Sequence, residues 1–519
     1  MKKLTAILLA ILMLIPLIAS CGGSDETTTT EIPTTEHPTT EAPTTEAPTT
    51  EAPTMESPTI EVPTTEAPST VDPNVLWSSK TDIRDTWSGK TLNVACSTWY
   101  STGAPWAMPE TFITEDNDAN FGKEIQETVL DRNKFIESTY GVKVNWINAT
   151  KASMHNVLEA ATIAKNINYD LAVPRMMNAH SIVAGGYIYD LANREFIDLR
   201  NTYYDKNAVN TYTAYGHTFF ITGGFSTINK ECAYVLYFNK NILGDGSENV
   251  ANELYELVRD GKWTYDKFVT YASSAYVDDG DGIINKKDSF GFYLDSYDRF
   301  FRLFGTNIAG VNEATGEWEL TIKSNNVNDI IAIIIKVHAS DWFRNTGLSS
   351  YGNIRNDLAD GGFLFYCDTL RISDKAQEGN VGVIPFPMLN EEQGRYYVPT
   401  DNQIPVLLCI PKLTQDREMS EYFMDVLSWT GNKYIVDDYL EIKHNHFKSD
   451  VDIEMLKSYI FPNISYDVGE HVGLGTLMYV HNSYTEWKNH FYSFYEDESP
   501  AALETIAEWN AAWGGYTEE

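Results

Sequence analysis

The chain is short of positive charge. Its 519 residues carry 38 Lys+Arg against 73 Asp+Glu, a formal net charge of −35. A surface that neutralises phosphates is thereby excluded, and nucleic acid with it as a partner. Acidity otherwise fits an exported, soluble body. Cysteine is scarce, five in all, with no CxxC and no zinc-type spacing. Cys96, Cys232, Cys367 and Cys409 each lie in an apolar stretch that reads as a strand. Buried free thiols are expected there, with one disulfide as the open alternative. HExxH, Walker A and GxSxG motifs are absent. Among so many carboxylates, pairs at any spacing arise by chance, so no glycosidase acid/base pair can be inferred. The expectation is a protein without catalysis.

Long apolar runs are missing except at the start. Lys2 and Lys3 precede an uncharged stretch, Leu4 to Ile18. That is signal-peptide length and short for a spanning helix. The following Ile18-Ala19-Ser20-Cys21 resembles a bacterial lipoprotein signal, in which the cysteine is lipidated and becomes the new N-terminus. Residues 1–20 are then a leader. Acyl chains on Cys21 anchor the rest to the outer face of the cytoplasmic membrane.

Residues 21–76 read as a tether. Glu31, Glu36, Glu41, Glu46, Glu51, Glu56, Glu61 and Glu66 recur every five residues, each followed two residues later by proline. The Thr-Thr-Glu-Ala-Pro repeat has almost no apolar surface with which to offset the entropy of folding. Regular proline favours extended polyproline II, with a reach of about 150 Å at ~3.1 Å per residue. The repeat supplies only eight of the negative charges, so the remainder of the chain is acidic too.

Residues 77–519 read as one globular region, large enough for two lobes. Thr91 to Cys96 is a strand. Phe121 to Tyr140 is a helix, with Ile125, Val129, Ile136 and Tyr140 on one face and Gly141 as its stop. Val142 to Trp146 alternates as a strand. A helix over Met154 to Lys165 and a strand over Tyr169 to Val173 follow. That order implies a parallel sheet flanked by helices. Cys232 to Phe238, Gly362 to Cys367, Val381 to Pro387 and Ile404 to Ile410 read as further strands. The C-terminal third is mostly helical. Its final helix is expected to start at Ser499 as N-cap, with Pro500 at the first position and Leu503, Ile506 and Trp513 as its apolar stripe. Trp146 and Trp513 are assigned to core.

Several segments resemble, in order, the extracellular solute-binding lipoproteins of bacterial ABC importers (family 1, the sugar-binding type of Gram-positive anaerobes). They are Asp131-Arg-Asn-Lys-Phe-Ile-Glu137 with Tyr140-Gly-Val142, then Tyr169-Asp-Leu-Ala-Val-Pro174 with Gly186-Tyr-Ile-Tyr-Asp-Leu191. Phe196-Ile-Asp-Leu199, Thr222-Gly-Gly-Phe225, Tyr237-Phe-Asn-Lys240 and Leu257-Val-Arg-Asp-Gly-Lys-Trp-Thr264 complete the set. The resemblance implies an α/β fold: a two-lobed, periplasmic-binding-protein-like type II body (Venus flytrap) with a helical C-terminal region. It further implies a carbohydrate, an oligosaccharide by expectation, held in the cleft between lobes and delivered by a monomer to membrane permease subunits. Where relatives often carry an acidic residue in the Thr-Gly-X turn, this chain has Gly224.

Sugars present apolar C–H faces and rings of hydroxyls, so such a cleft wants flat aromatics beside Asp, Asn and Arg. Candidates lie at strand ends and in neighbouring loops: Trp99, Tyr100, Trp106, Arg175, Met176, Phe225, Ser226, Tyr297, Arg299, Asp368, Arg371 and Asn402. For any single aromatic, core packing is the competing reading. Asp278-Asp279 and the stretch Asp295 to Asp298 read as solvated or capping groups. His444-Asn-His446 reads as a polar surface turn that could ligate metal only if extended.

Val277 to Asp288 resembles a calcium loop of the EF-hand or dockerin kind. Asp279, Asp281, the Ile283 carbonyl, Asn285 and Asp288 fit positions 3, 5, 7, 9 and 12, and Gly282 fits position 6. Position 1 is Val277, which has no ligating side chain; Asp278 could substitute in a distorted loop. A structural Ca2+ is one expectation, and an acidic turn that has lost its metal is the other. Two further classes stay open for the whole protein. One is an adhesin that tethers polysaccharide with no permease, and the other is an extracellular hydrolase. A binding protein for peptides is a variant of the first reading.

Overall fold

The computed structural model describes residues 86–97, 123–150, 153–166, 168–242, 247–281, 287–324, 326–345, 362–376, 380–401, 403–474 and 484–518. The leader, the tether, Cys21, Trp99, Tyr100, Trp106, Ile283, Asn285 and Asn402 lie outside these residues.

The first sheet forms as its sequence patterns require. β1 (Thr91–Ser97) is followed by α1 (Lys123–Tyr140), β2 (Lys143–Thr150), α2 (Met154–Ala164) and β3 (Leu171–Val173), giving parallel order β2-β1-β3. Ile125, Val129, Ile136 and Tyr140 of α1 are all buried. Gly141 stops the helix at φ +68°, its N–H donating to the Glu137 carbonyl. Arg132 is buried on the same helix. It donates to the Phe225 carbonyl (3.3 Å), and burial pulls its pKa down to about 9.

Next come α3 (Ala179–Ala184), α4 (Lys206–Thr211), the hairpin of β4 (Thr213–Ala214) and β5 (His217–Thr218), and α5 (Ile228–Glu231). The chain then leaves the first sheet. β6 (Tyr234–Asn239) belongs to the second, with α6 (Ser247–Arg259), α7 (Tyr265–Ser274), β7 (Phe290–Leu294) and α8 (Arg299–Leu303) after it. A second hairpin, β8 (Ala309–Val311) and β9 (Trp318–Leu320), precedes α9 (Val327–His338), β10 (Phe343–Arg344), β11 (Phe363–Thr369) and β12 (Val381–Ile384). The second sheet has order β10-β7-β11-β6-β12, with β6 antiparallel to both neighbours.

β13 (Val398–Pro399) begins the return crossing. Residues 406–411 then rejoin the first sheet by an isolated bridge from Cys409 to Ala172 of β3, with another from Leu408 to Ile221, rather than as the continuous strand expected over Ile404 to Ile410. α10 (Arg417–Phe447), α11 (Asp450–Met455), β14 (Ile464–Ser465) and α12 (Tyr484–Gly514) complete the chain. The α/β architecture with two sheets and a helical C-terminal region is thus as the sequence implies.

Three expectations need correction. α12 starts well before Ser499 and runs through Pro500, although proline removes one helix N–H bond. Packing upstream overrides it: Phe491 is buried and stacks on Phe301 at 5.7 Å. Leu503 is 52% exposed; Ala502, Ile506, Trp509 and Trp513 form the buried face instead. His444 and His446 lie in α10, where residues two apart point to different sides. His446 faces inward to Ser373 and His444 meets Asp450. Trp146 and Trp513 are buried, as are all four cysteines, which are free.

Candidate functional site

Strand ends from the second sheet converge where the chain crosses between sheets. β7 and β11 run parallel and finish side by side, with Leu294 opposite Cys367. β6 runs the other way, so its first residue, Tyr234, pairs with Thr369 at that same edge. The return crossing passes here too. Asp401 donates its N–H to the Cys232 carbonyl (3.0 Å), and Thr400 bridges Ala233. Arg175, just past β3, bridges Val406. One edge therefore gathers side chains from both sheets.

The centre of this edge is charged and flat. Arg299, at the start of α8, donates Nε and Nη2 to Asp295 (2.6 and 2.9 Å), a bidentate fork. Its guanidinium carbon sits 4.0 Å from the Tyr234 ring centroid. Burial works against the Arg299 charge, but Tyr234 and Asp295 outweigh it and hold the pKa well above its ordinary value. Burial likewise pushes Asp295 upward, and Arg299 overrides it, leaving the carboxyl below its usual range. Burial drives the Tyr234 phenol well up, and Arg299, Asp295, Asp401 and Asp368 all act on it. Arg175 is lowered by burial and supported by Asp401. Asp401 Oδ1 accepts from the Gln403 and Ile404 N–H groups, which fixes the turn.

Of the sequence candidates, Arg175, Arg299 and Asp368 come together here, and Arg371 lies on the short helical turn directly after β11. Four others go to the interior. Met176 is fully buried, its N–H on the Pro405 carbonyl. Phe225 is fully buried under Arg132. Ser226 is buried, and its Oγ accepts from Ile228 N–H at the start of α5. Tyr297 is buried with its hydroxyl 2.8 Å from His338 Nδ1. Each follows a strand or turn in sequence, but its side chain packs into the interior. Tyr234, Asp295 and Asp401 were missed as site residues. Tyr234 is hidden in an apolar strand, and Asp295 reads from sequence as a solvated or capping group. Asp298 is neither solvated nor a side-chain cap: it is buried at the start of α8, and its carboxylate accepts from the Ser296 hydroxyl and from Arg302 (3.1 Å) instead of from helix N–H groups.

Gly224 has a steric cause. A Cβ there would sit 2.5 Å from the Asn432 nitrogen, and one at Gly431 would sit 2.2 Å from the Gly224 carbonyl oxygen. The turn and α10 touch backbone to backbone, which leaves no room for an acidic side chain.

One buried group has the composition of a nucleophilic constellation. Ser373 Oγ accepts from Lys443 Nζ (2.9 Å) and lies 2.9 Å from His446 Nδ1. Lys443 also pairs with Glu231 at 2.7 Å, both nearly inaccessible. Ser373 is fully buried, so no substrate reaches its hydroxyl. The group acts as a tie between α5 and α10.

In the acidic loop, Asp278, Asp279 and Asp288 each bring a carboxylate oxygen within 4.8 Å of the others. Val277 pairs with Ser289 in both directions (3.0 Å), closing the loop and leaving its own side chain 57% exposed. Asp278, not Val277, thus stands where a first ligand is needed. Asp281 is exposed, its N–H donating to Asp279 Oδ1. Lys287 Nζ, 3.5 Å from Asp279 and 3.9 Å from Asp281, competes with a cation for the same oxygens.

Among the described residues no helix is long and apolar enough to cross a membrane. No protein-family model and no curated protein matches the chain. Solved structures do. The chain is similar to an ABC substrate-binding protein of Listeria monocytogenes in complex with cycloalternan, at 12% identity, covering 82% of this chain and 100% of that one, with TM-score 0.44. It is similar to the sugar-binding protein MalE of Xanthomonas citri, at 10% identity, covering 82% and 93%, with TM-score 0.47. A Thermus thermophilus maltotriose-binding protein bound with maltotriose shares 12% identity, with coverage of 81% and 99% and TM-score 0.40.

Proposed function

We propose that this chain is a lipid-anchored extracellular solute-binding protein that captures a carbohydrate at the inter-sheet edge and hands it to an ABC importer without altering it. The Arg299–Asp295–Tyr234 arrangement carries the reading. A guanidinium held flat by a carboxylate and a ring offers stacking area to a sugar face, and only two of its five N–H groups are spent on Asp295. Asp368, Asp401 and Arg175 supply the acceptors and donors that a ring of hydroxyls needs. Side chains from both sheets at one edge suit closure about the two crossings, and ligand biases that closure only by binding the closed form better. Cys21 supplies the anchor and residues 22–76 the reach. Calcium held by Asp278, Asp279 and Asp288 would pin the loop before β7 and takes no part in chemistry.

A thermal-shift screen of the purified chain against mono- and oligosaccharides tests this. A true ligand at a hundred times its dissociation constant adds about 2.7 kcal/mol of stability. Silence across the whole panel, with a response to peptides instead, would overturn the carbohydrate assignment.

A further inference from the structure

A cavity of about 790 Å³ opens between the β4–β5 and β8–β9 hairpins and shares no residue with the inter-sheet edge. That volume is ample for a small saccharide. Its walls come from α4 and the first hairpin on one side and the second hairpin on the other; Tyr397, just before β13, and Ser465 of β14 complete the lining. The hairpin tips are tied together: Tyr215 N–H donates to the Gly316 carbonyl (3.0 Å), with Tyr215 at φ +54° and Gly316 at φ +74°. Left-handed backbone at a tyrosine costs energy, and here it joins the two hairpins at the cavity's rim.

The lining splits into spent and unspent groups. Asn207 donates to the Pro462 and Ile464 carbonyls, and Asn312 closes its own turn. Those amides hold the walls. The Asn210 amide, the Glu313 carboxylate and the Tyr397 hydroxyl have no hydrogen-bond partner among the described residues. Arg395 lies 4.8 Å over the Tyr397 ring, which is braced against Gly305, where a Cβ would sit 2.3 Å from it. A braced ring, a guanidinium, a carboxylate and an amide around one cavity of mixed polar and apolar lining form a set that reads sugar hydroxyls and a sugar face together. The geometry points to a second carbohydrate-binding site at this cavity, for a neutral oligosaccharide, separate from the inter-sheet edge.

The assignment goes beyond the proposed function and is tested where binding at the inter-sheet edge is weakened. The full chain carrying Arg299→Ala is titrated calorimetrically with maltohexaose, cellohexaose and xylohexaose. The result expected is saturable binding of at least one hexaose, weakened about tenfold or more by adding Asn210→Ala with Glu313→Gln. Both residues are exposed, so folding should be kept; an unchanged melting temperature checks it. Tyr397→Phe gives a milder independent reading of the same wall. If Arg299→Ala binds none of the three while the parent chain binds, the edge site stands and the second site is overturned. Binding that survives the Asn210 and Glu313 changes and Tyr397→Phe overturns it as well.

Discussion

The Arg299 guanidinium lies 4.0 Å from the centroid of the Tyr234 ring, so the first residue of α8 is clamped to the first residue of the strand that enters the second sheet. The contact makes the site and the crossing one object. Arg299→Ala removes the platform and frees Asp295, which is itself 45% exposed and can be solvated. Stability without ligand should change little. Affinity for the saccharide found by screening should fall by about 2 kcal/mol, roughly thirtyfold, the scale of a charge-assisted hydrogen bond. Arg299→Lys keeps charge but loses the planar fork, so it should fall between the two. Calorimetric titration decides; an affinity equal to the parent's would remove Arg299 from the site.

Gly224 and Gly431 predict a steric failure. Gly224→Asp puts an acidic side chain into that turn. It also forces a Cβ to 2.5 Å from the Asn432 nitrogen. The cost should sit at or above the ~1–3 kcal/mol typical of overpacking, because the obstacle is backbone. Urea denaturation measures it. A parental midpoint would show that α10 can retreat, and the close approach would then constrain nothing.

Buried charge predicts a third outcome. Lys443→Met strands the Glu231 carboxylate, since the pair is 2.7 Å apart with both side chains nearly inaccessible. A loss of about 3–5 kcal/mol is expected, much of it recovered in the double variant Glu231→Gln, Lys443→Met. Urea midpoints of the three proteins form the test; a single variant as stable as the parent would contradict the account.

The fold was legible where local pattern and packing agree. The α1 face, the Gly141 stop and the alternation of Val144 and Trp146 needed only periodicity. Pro500 shows the limit: a strong local start signal lost to the packing of Phe491, upstream in the same helix, on Phe301, a residue far away in sequence. The site was half legible for the same reason. Arg175, Arg299 and Asp368 follow strands, which position alone can find. Tyr234 and Asp401 belong to the site because β6 runs antiparallel and the return crossing arrives beside it, and no local window holds that register. Met176, Phe225, Ser226 and Tyr297 occupy similar sequence positions, yet each side chain packs into the interior.

The acidic loop predicts a response to calcium. Asp278, Asp279 and Asp288 already converge, and Asp288 is buried at 5% exposure. Calcium in excess should raise the melting temperature, and a chelator should reverse it, because metal binds only the folded loop. Asp288→Asn should abolish the response. Lys287→Ala should strengthen it, since the ammonium 3.5 Å from Asp279 no longer competes. Identical melting curves with calcium and with chelator would assign the loop to Lys287 alone.

His180 and His471 predict acid sensitivity. His180 is buried, stacks on Trp509 with centroids 3.4 Å apart, and has no partner on either ring nitrogen among the described residues. Burial, with His471 nearby, holds its pKa well below the ordinary value. Burial takes His471 down to about 4, and burial with Lys443 takes His446 down to about 4 as well. These imidazoles are neutral in the fold and take protons more readily when unfolded. Their contribution is complete above about pH 6.5 and is lost as pH falls toward the folded values, on the order of 3 kcal/mol for a single group. Melting temperature should therefore drop steadily across that window. His180→Phe keeps a ring on Trp509 but removes the proton site, so its profile should be shallower than the parent's. Parallel profiles would mean that His180 takes up no proton on unfolding, and the stack between α3 and α12 would then be indifferent to acid.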